Sequence, residues 1–182
     1  MSGPSRRLFV AVDLPSPLAD RLAALAPTGR GVKPVRPESI HLTLHFLGDV
    51  PVAAIPGLRA ALDEVRASPF AVELAGRGRF PPRGPSRVLW VGLAPQASLT
   101  ALHAACGRAI QAAGLPVESR PFAPHITIAR LHDTADTRLA EAFLAAGSVP
   151  AAFPVERVVL YASDRTPSGP RHEPLHTIPL SG

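Results

Sequence analysis

The sequence predicts an α+β fold built from two related halves, and three observations carry that prediction. Strand-length segments, either apolar throughout or alternating, are interleaved with longer segments whose apolar residues recur at helical spacing. The order helix, strand, helix, strand, strand occurs twice along the chain. In addition, His41-Leu42-Thr43-Leu44 recurs as His125-Ile126-Thr127-Ile128, an offset of 84 residues that the flanking elements nearly keep. We read residues 1–182 as one domain containing pseudo-repeats at about 15–93 and 96–180, with pseudosymmetry that lets the two motifs face each other across a cleft.

Each element has a local reason. Leu8 to Val12 is an unbroken apolar run, suited to a strand buried on both faces. Asp13-Leu14-Pro15-Ser16-Pro17 then opens a helix through Ala26, which Pro27-Thr28-Gly29 ends. Ile40 to Leu47 alternates strictly: His41, Thr43 and His45 fall on one face and Leu42, Leu44 and Phe46 on the other, before Gly48-Asp49 turns the chain. Residues 51–67 read as helix through Leu58, Leu62 and Val65. Phe70 to Leu74 and Arg87 to Leu93 read as strands around an exposed basic loop from Gly76 to Ser86. The second series gives a helix at about 96–113 and a strand at about 124–131. A helix follows at about 134–147, with Thr134 as its N-cap, and then strands at about 155–161 and 173–180.

Composition narrows the function classes. With 182 residues, 46% of them hydrophobic and 18% charged, the chain can bury a core but is too short for several domains. No apolar run reaches the length of a membrane span, and Met1 to Arg7 leads into the first strand without a leader-like apolar segment. A soluble, cytoplasmic monomer is the expectation. The single cysteine, Cys106, has no partner for an internal disulfide and reads as a core residue. The net charge of +5 is almost wholly arginine, since Lys33 is the only lysine. Arginine forks suit phosphate oxygens, although a GC-rich genome would give the same bias.

Seven histidines and eight threonines in this length give about 0.3 His-x-Thr triplets by chance, and three occur. The third, His132-Asp133-Thr134, reads as a helix start. In the other two, residues i and i+2 of a strand point the same way, so each sets an imidazole beside a hydroxyl. Either one alone is an ordinary wet strand face. Two at matching places suit acid-base chemistry at phosphorus: one imidazole takes a proton from the attacking oxygen, the other gives one to the leaving oxygen, and the hydroxyls donate to non-bridging oxygens. A rival metal set of His41, His45, His125 and His132 is disfavoured by strand periodicity and by the lack of neighbouring carboxylates other than Glu38. No phosphate-binding loop of the Walker type is present.

Arg36-Pro37-Glu38-Ser39-Ile40-His41-Leu42-Thr43-Leu44-His45-Phe46-Leu47-Gly48-Asp49 and Arg120-Pro121-Phe122-Ala123-Pro124-His125-Ile126-Thr127-Ile128-Ala129-Arg130 resemble the 2H phosphoesterase superfamily. The branch that fits is the RNA 2′,3′-cyclic phosphodiesterases, historically called 2′-5′ RNA ligases. Leu8 to Pro15, Arg87 to Gly92 and Leu160 to Ser163 extend the resemblance over essentially the whole chain. It implies a bilobal α+β fold, each lobe an antiparallel sheet with outer helices, and a cleft that needs no metal or other cofactor. The implied substrate is RNA or a nucleotide ending in a 2′,3′-cyclic phosphate, opened to a 2′-phosphomonoester, with 2′-5′ ligation as a minor reverse activity.

Carried over, His41 is the proton donor to the leaving 3′ oxygen and His125 the base that activates water. Thr43 and Thr127 hold the phosphate, Arg130 adds charge, and Phe9 stacks on the terminal base. Pro34, His45 and His172 depart from the family pattern, which often has tryptophan, arginine and tyrosine there. Small cyclic nucleotides as substrates, or a non-catalytic RNA-binding module using the basic loop, are the competing readings.

Overall fold

A computed structural model describes residues 3–181 apart from 168. The first strand, β1 (Ser5–Asp13), carries the apolar run and buries Leu8 to Val12 completely or nearly so. Leu8, Val10 and Val12 face the core, and on the other face Phe9 is covered by the rings of His41, Tyr161 and His172. Helix α1 (Ser16–Ala23) has Pro17 in its first turn, where a missing N–H costs nothing, and buries Leu18, Ala19 and Leu22. It stops three residues short of the expected Ala26. A short strand that the sequence does not announce, β2 (Val32–Pro34), contains a lysine and a proline and has no alternation to signal it.

Strand β3 (His41–Pro51) is longer than expected and does not alternate throughout. Its pairing with β1 passes from Ala11↔Thr43 to Val10↔His45, skipping Leu44, and from Phe9↔Phe46 to Leu8↔Gly48, skipping Leu47. Each skip is a β-bulge, which sends the following side chain to the opposite face. The expected strict alternation therefore fails at Leu44: His45 is buried at 7% exposure and Phe46 is exposed at 38%. Gly48, with φ of +68°, sits in the second bulge, so Gly48-Asp49 does not end the strand as expected.

Helix α2 (Ile55–Leu62), preceded by a turn of 3₁₀ helix at Val52–Ala54, is shorter than the predicted 51–67. Strand β4 (Phe70–Phe80) pairs with β5 (Val88–Leu93) and absorbs half of the expected basic loop. Gly76, at φ of +64°, forms a bulge there instead of ending the strand. Helix α3 (Ala97–Ala112) buries Leu99, Leu102, Cys106 and Ile110 on one stripe, and burial pushes the Cys106 thiol up to about 12. Strand β6 (His125–Leu131) follows. Helix α4 (Thr137–Ala145) is capped by Asp136, whose carboxylate accepts the Arg138 backbone N–H at 2.9 Å. Thr134 is thus not the N-cap.

The expected single strand at 155–161 is two. β7 (Ala152–Val155) pairs with β4, and β8 (Arg157–Thr166) pairs with β1 and with β9 (Gly169–Pro179). The chain crosses between the two ends of the sheet at Glu156.

All pairs are antiparallel and the order is β7-β4-β5-β6-β3-β1-β8-β9, with β2 beside β6. The two halves of this sheet, β7-β4-β5-β6 and β3-β1-β8-β9, meet at a single registered pair, Leu42↔Ile126. The hairpin β4-β5 precedes the second motif in sequence and flanks it in space. The hairpin β8-β9 comes from the chain's end and extends the half that holds the first motif. The halves are therefore interlocked, and the junction is sealed by Leu42, Ile126 and Ile128, all inaccessible. Among the described residues, no helix is long and apolar enough to cross a membrane.

Candidate active site

The Leu42↔Ile126 pair fixes the geometry of the site. In an antiparallel register, residues one step either side are also opposed, which sets His41 across from Thr127 and Thr43 across from His125. All four then lie on the face opposite the buried Leu42 and Ile126. They line one cavity of about 730 Å³, together with Phe9, Phe46 and a set of cations on its walls.

Both imidazoles are held the same way. His41 Nδ1–H donates to the carbonyl of Ser39 at 2.8 Å, and His125 Nδ1–H to the carbonyl of Ala123 at 2.7 Å. A carbonyl only accepts, so each Nδ1 carries the proton and each Nε2 is left to exchange protons with a ligand. Ser39 is placed by the 3₁₀ turn Pro37–Ser39, and its backbone N–H is bonded to the Arg36 carbonyl at 2.8 Å.

The surroundings of the two differ. His41 stacks on Phe9 with ring centroids 4.8 Å apart, Phe9 stacks on Tyr161 at 5.2 Å, and His172 meets the edges of both Phe9 and His41. The Tyr161 hydroxyl donates to Asp13 at 2.6 Å, anchoring this layer, and its pKa is raised by burial and by that bond. Burial, then the neighbouring His172 charge, lowers the His41 pKa to about 4; its bond to Ser39 opposes the shift, and His125 and Arg130 add to it. His125 instead meets Phe80 edge-on at 4.9 Å, with Trp90 tilted at 6.0 Å.

Phe9 lines the cavity, and its ring contacts are within the protein. It is 3% exposed, with His41 stacked on it at 4.8 Å and Tyr161 at 5.2 Å, so it lies directly under His41. Arg130, on β6, lines the cavity close enough to influence His41. The rival metal set does not assemble. His45 is buried against α3, where its Nε2–H donates to the His103 carbonyl at 2.7 Å, and His132 is exposed beyond β6. Among the described residues no group of three or more His, Cys, Asp or Glu side chains has the geometry to hold a metal ion.

Several cleft residues carried no clear signal in sequence. Phe46 reads as core under strict alternation. Arg7, Arg165 and Lys33 belong to no motif and are brought to the cavity by β1, β8 and β2. A second feature is a stack of three rings behind the site, His45 on His103 at 4.1 Å and His103 on Phe122 at 4.0 Å. It ties β3 to α3 and to the segment carrying Ala123. Gly107 of α3 leaves room for it, since a Cβ there would lie 3.2 Å from the His45 ring.

Fold and site define a class: a two-lobed α+β protein whose cleft holds two His-x-Thr pairs with their Nδ1 atoms tied to the backbone. The chain belongs to the 2′-5′ RNA ligase superfamily, the 2H phosphoesterases, whose sequence profile matches residues 14–167. It is 33% identical over 180 residues to the RNA 2′,3′-cyclic phosphodiesterase of Geobacillus stearothermophilus, covering 96% of this chain and 57% of that protein. To the Thermus thermophilus RNA 2′,3′-cyclic phosphodiesterase it is 34% identical over 191 residues, covering 97% and 91%. The chain thus spans little more than half the length of the first and nearly all of the second. Among solved structures it resembles Escherichia coli LigT complexed with 3′-AMP (TM-score 0.79, 28% identity, 98% and 100% covered). A Thermus thermophilus protein also matches (TM-score 0.82, 30% identity, 97% and 98% covered).

Proposed function

We propose that this protein is an RNA 2′,3′-cyclic phosphodiesterase that opens the terminal cyclic phosphate to a 2′-phosphomonoester with two histidines as acid and base. The observation that carries the reading is the matched pair of tied imidazoles on one face, each across from the other motif's threonine. His125 Nε2 takes a proton from water as its oxygen attacks phosphorus. The bond from phosphorus to the 3′ oxygen breaks, and His41 Nε2 gives a proton to that oxygen. Thr43 and Thr127 donate to the non-bridging oxygens, where charge builds up, and Arg130 adds a positive field from β6.

The buried setting of His41 fits the acid role. An imidazole whose pKa is lowered to about 4 is neutral near pH 7 unless an anion lies beside it, and the phosphate supplies that anion. Having gained a proton under those conditions, it is a strong donor to an alkoxide leaving group. A 5′-hydroxyl replacing water in the same step gives a 2′-5′ linkage, which accounts for minor ligation by the same groups.

The test is an oligonucleotide ending in a 2′,3′-cyclic phosphate, with the phosphate position of the product mapped. A 2′-phosphate is the expected product. A 3′-phosphate reverses the assignment of the leaving oxygen, and binding without turnover favours a non-catalytic RNA-binding module.

A further inference from the structure

We propose that the ring stack of His45, His103 and Phe122 positions the base of the reaction: it holds the Ala123 carbonyl that keeps the proton of His125 on Nδ1, and so joins the second motif to the strand of the first. The role of base rests on the function proposed above, whereas the hold on the His125 ring does not.

The two motif histidines make the same bond to a carbonyl two residues upstream, but the two carbonyls are secured by different means. That of Ser39 belongs to a closed turn, in which the N–H groups of Ser39 and Ile40 donate to the carbonyls of Arg36 and Pro37 at 2.8 and 3.1 Å. Residues 116–124 have no such turn: among the described residues they make no hydrogen bond between backbone groups. What anchors the end of this segment is the side chain of Phe122, which packs against the core and lies face to face with His103, centroids 4.0 Å apart and planes 12° from parallel. Ala123 follows directly, and Pro124 after it disfavours helical backbone at Ala123. With Phe122 fixed on one side and the proline on the other, the direction of the Ala123 carbonyl is set.

The other end of the stack is secured on β3, where the bulge at Leu44 turns His45 towards α3. His45 lies 4.1 Å from the His103 ring, and its Nε2–H donates to the His103 carbonyl at 2.7 Å, so one residue of α3 is gripped through both ring and backbone. Gly107, one turn along the same face of α3, admits the His45 ring, because a Cβ there would come within 3.2 Å of it. Burial, then the neighbouring His45, lowers the His103 pKa to about 4, so the middle ring is uncharged at neutral pH. The consequence for His125 is chemical. An Ala123 carbonyl that turns away leaves Nδ1 without an acceptor and lets the proton settle on Nε2, the nitrogen that has to receive one from water.

The experiment measures kcat and KM on an oligonucleotide ending in a 2′,3′-cyclic phosphate, together with the nitrogen NMR pattern that separates a ring protonated on Nδ1 from one protonated on Nε2. His103→Ala removes the middle ring and leaves the backbone carbonyl that His45 uses. It is expected to lower kcat about tenfold or more through misplacement of the base, with KM changed less than about twofold. His125 should shift towards the Nε2–H form, while His41, whose carbonyl has its own turn, keeps Nδ1–H. His103→Phe keeps a ring and should restore both kcat and the His125 pattern. Phe122→Leu should repeat the loss and Phe122→Tyr recover it, which carries the same reading if His103→Ala does not fold. An unchanged His125 pattern, equal changes at His41 and His125, or a loss that the aromatic replacements do not recover overturns the proposal. If the wild type turns over no cyclic phosphate, the proposed function fails on its own, and the His125 pattern in the same variants still decides the stack.

Discussion

His41 and His125 start from the same four-residue pattern and make the same bond to a carbonyl two residues upstream, yet they end in different environments. His41 lies on Phe9 and under the edge of His172, in a layer built from β1, β8 and β9. His125 has Phe80 and Trp90 from β4 and β5 beside it. The motif sets what is local, the tautomer and the direction of Nε2. Strands that are remote in sequence set the burial and the neighbours of each ring, and at His41 that surrounding lowers its affinity for a proton.

The largest test of that asymmetry is deletion. His41→Ala and His125→Ala should each lower kcat about 10² to 10⁴-fold with the thermal midpoint retained. The double variant should lose much less than the product of the two, because a concerted pair acts as a unit. Near wild-type turnover in either single variant removes that histidine from the chemistry.

Thr43→Val and Thr127→Val come next, at about 10² to 10³-fold each if the hydroxyls serve as oxyanion donors. Because each threonine lies across from the opposite histidine, similar losses are expected. A loss confined to one of them would show that the two motifs hold the phosphate unequally.

The pH profile sharpens the comparison at a smaller scale. The proposed acid, His41, has its pKa depressed by burial and neighbouring positive charge, and an anionic phosphate favours its charged form. The alkaline limb of kcat, which reports the bound complex, should therefore lie at higher pH than that of kcat/KM. The limbs belong to the coupled pair. Coincident alkaline limbs would mean that the phosphate does not bear on His41.

Stability carries the same sign information. His41 and His103, both lowered from 6.5 to about 4, bind protons more weakly folded than unfolded. Their effect is absent above about pH 6.5, and stability is lost as pH falls from there towards 4. His103→Gln should flatten that acid-side decline in a series of urea midpoints, and His172→Gln should raise the His41 pKa seen by NMR, since the His172 charge lowers it. The smallest expected effect is none at all: prolonged EDTA should leave kcat unchanged, because the proposed scheme gives no role to a metal. Rescue by a divalent ion after a loss would replace it.

The sequence by itself determined the alternation that puts histidine and threonine on one face, the apolar run of β1, and the repetition of the motif. These are properties of period two and of local composition, which hold wherever the strand ends up. Only the tertiary structure decided that Leu44 would be bulged, because a bulge exists only against a partner strand, and β1 lies 30 residues or more upstream in sequence. That one irregularity moved His45 into the interior and Phe46 into the cleft. It likewise decided what surrounds Phe9, since Tyr161 and His172 reach it from the other end of the chain. The extra strand β2 and the division of 152–166 into β7 and β8 have the same origin. Side-chain direction is written along the chain, whereas register, burial and proton affinity depend on neighbours that only folding supplies.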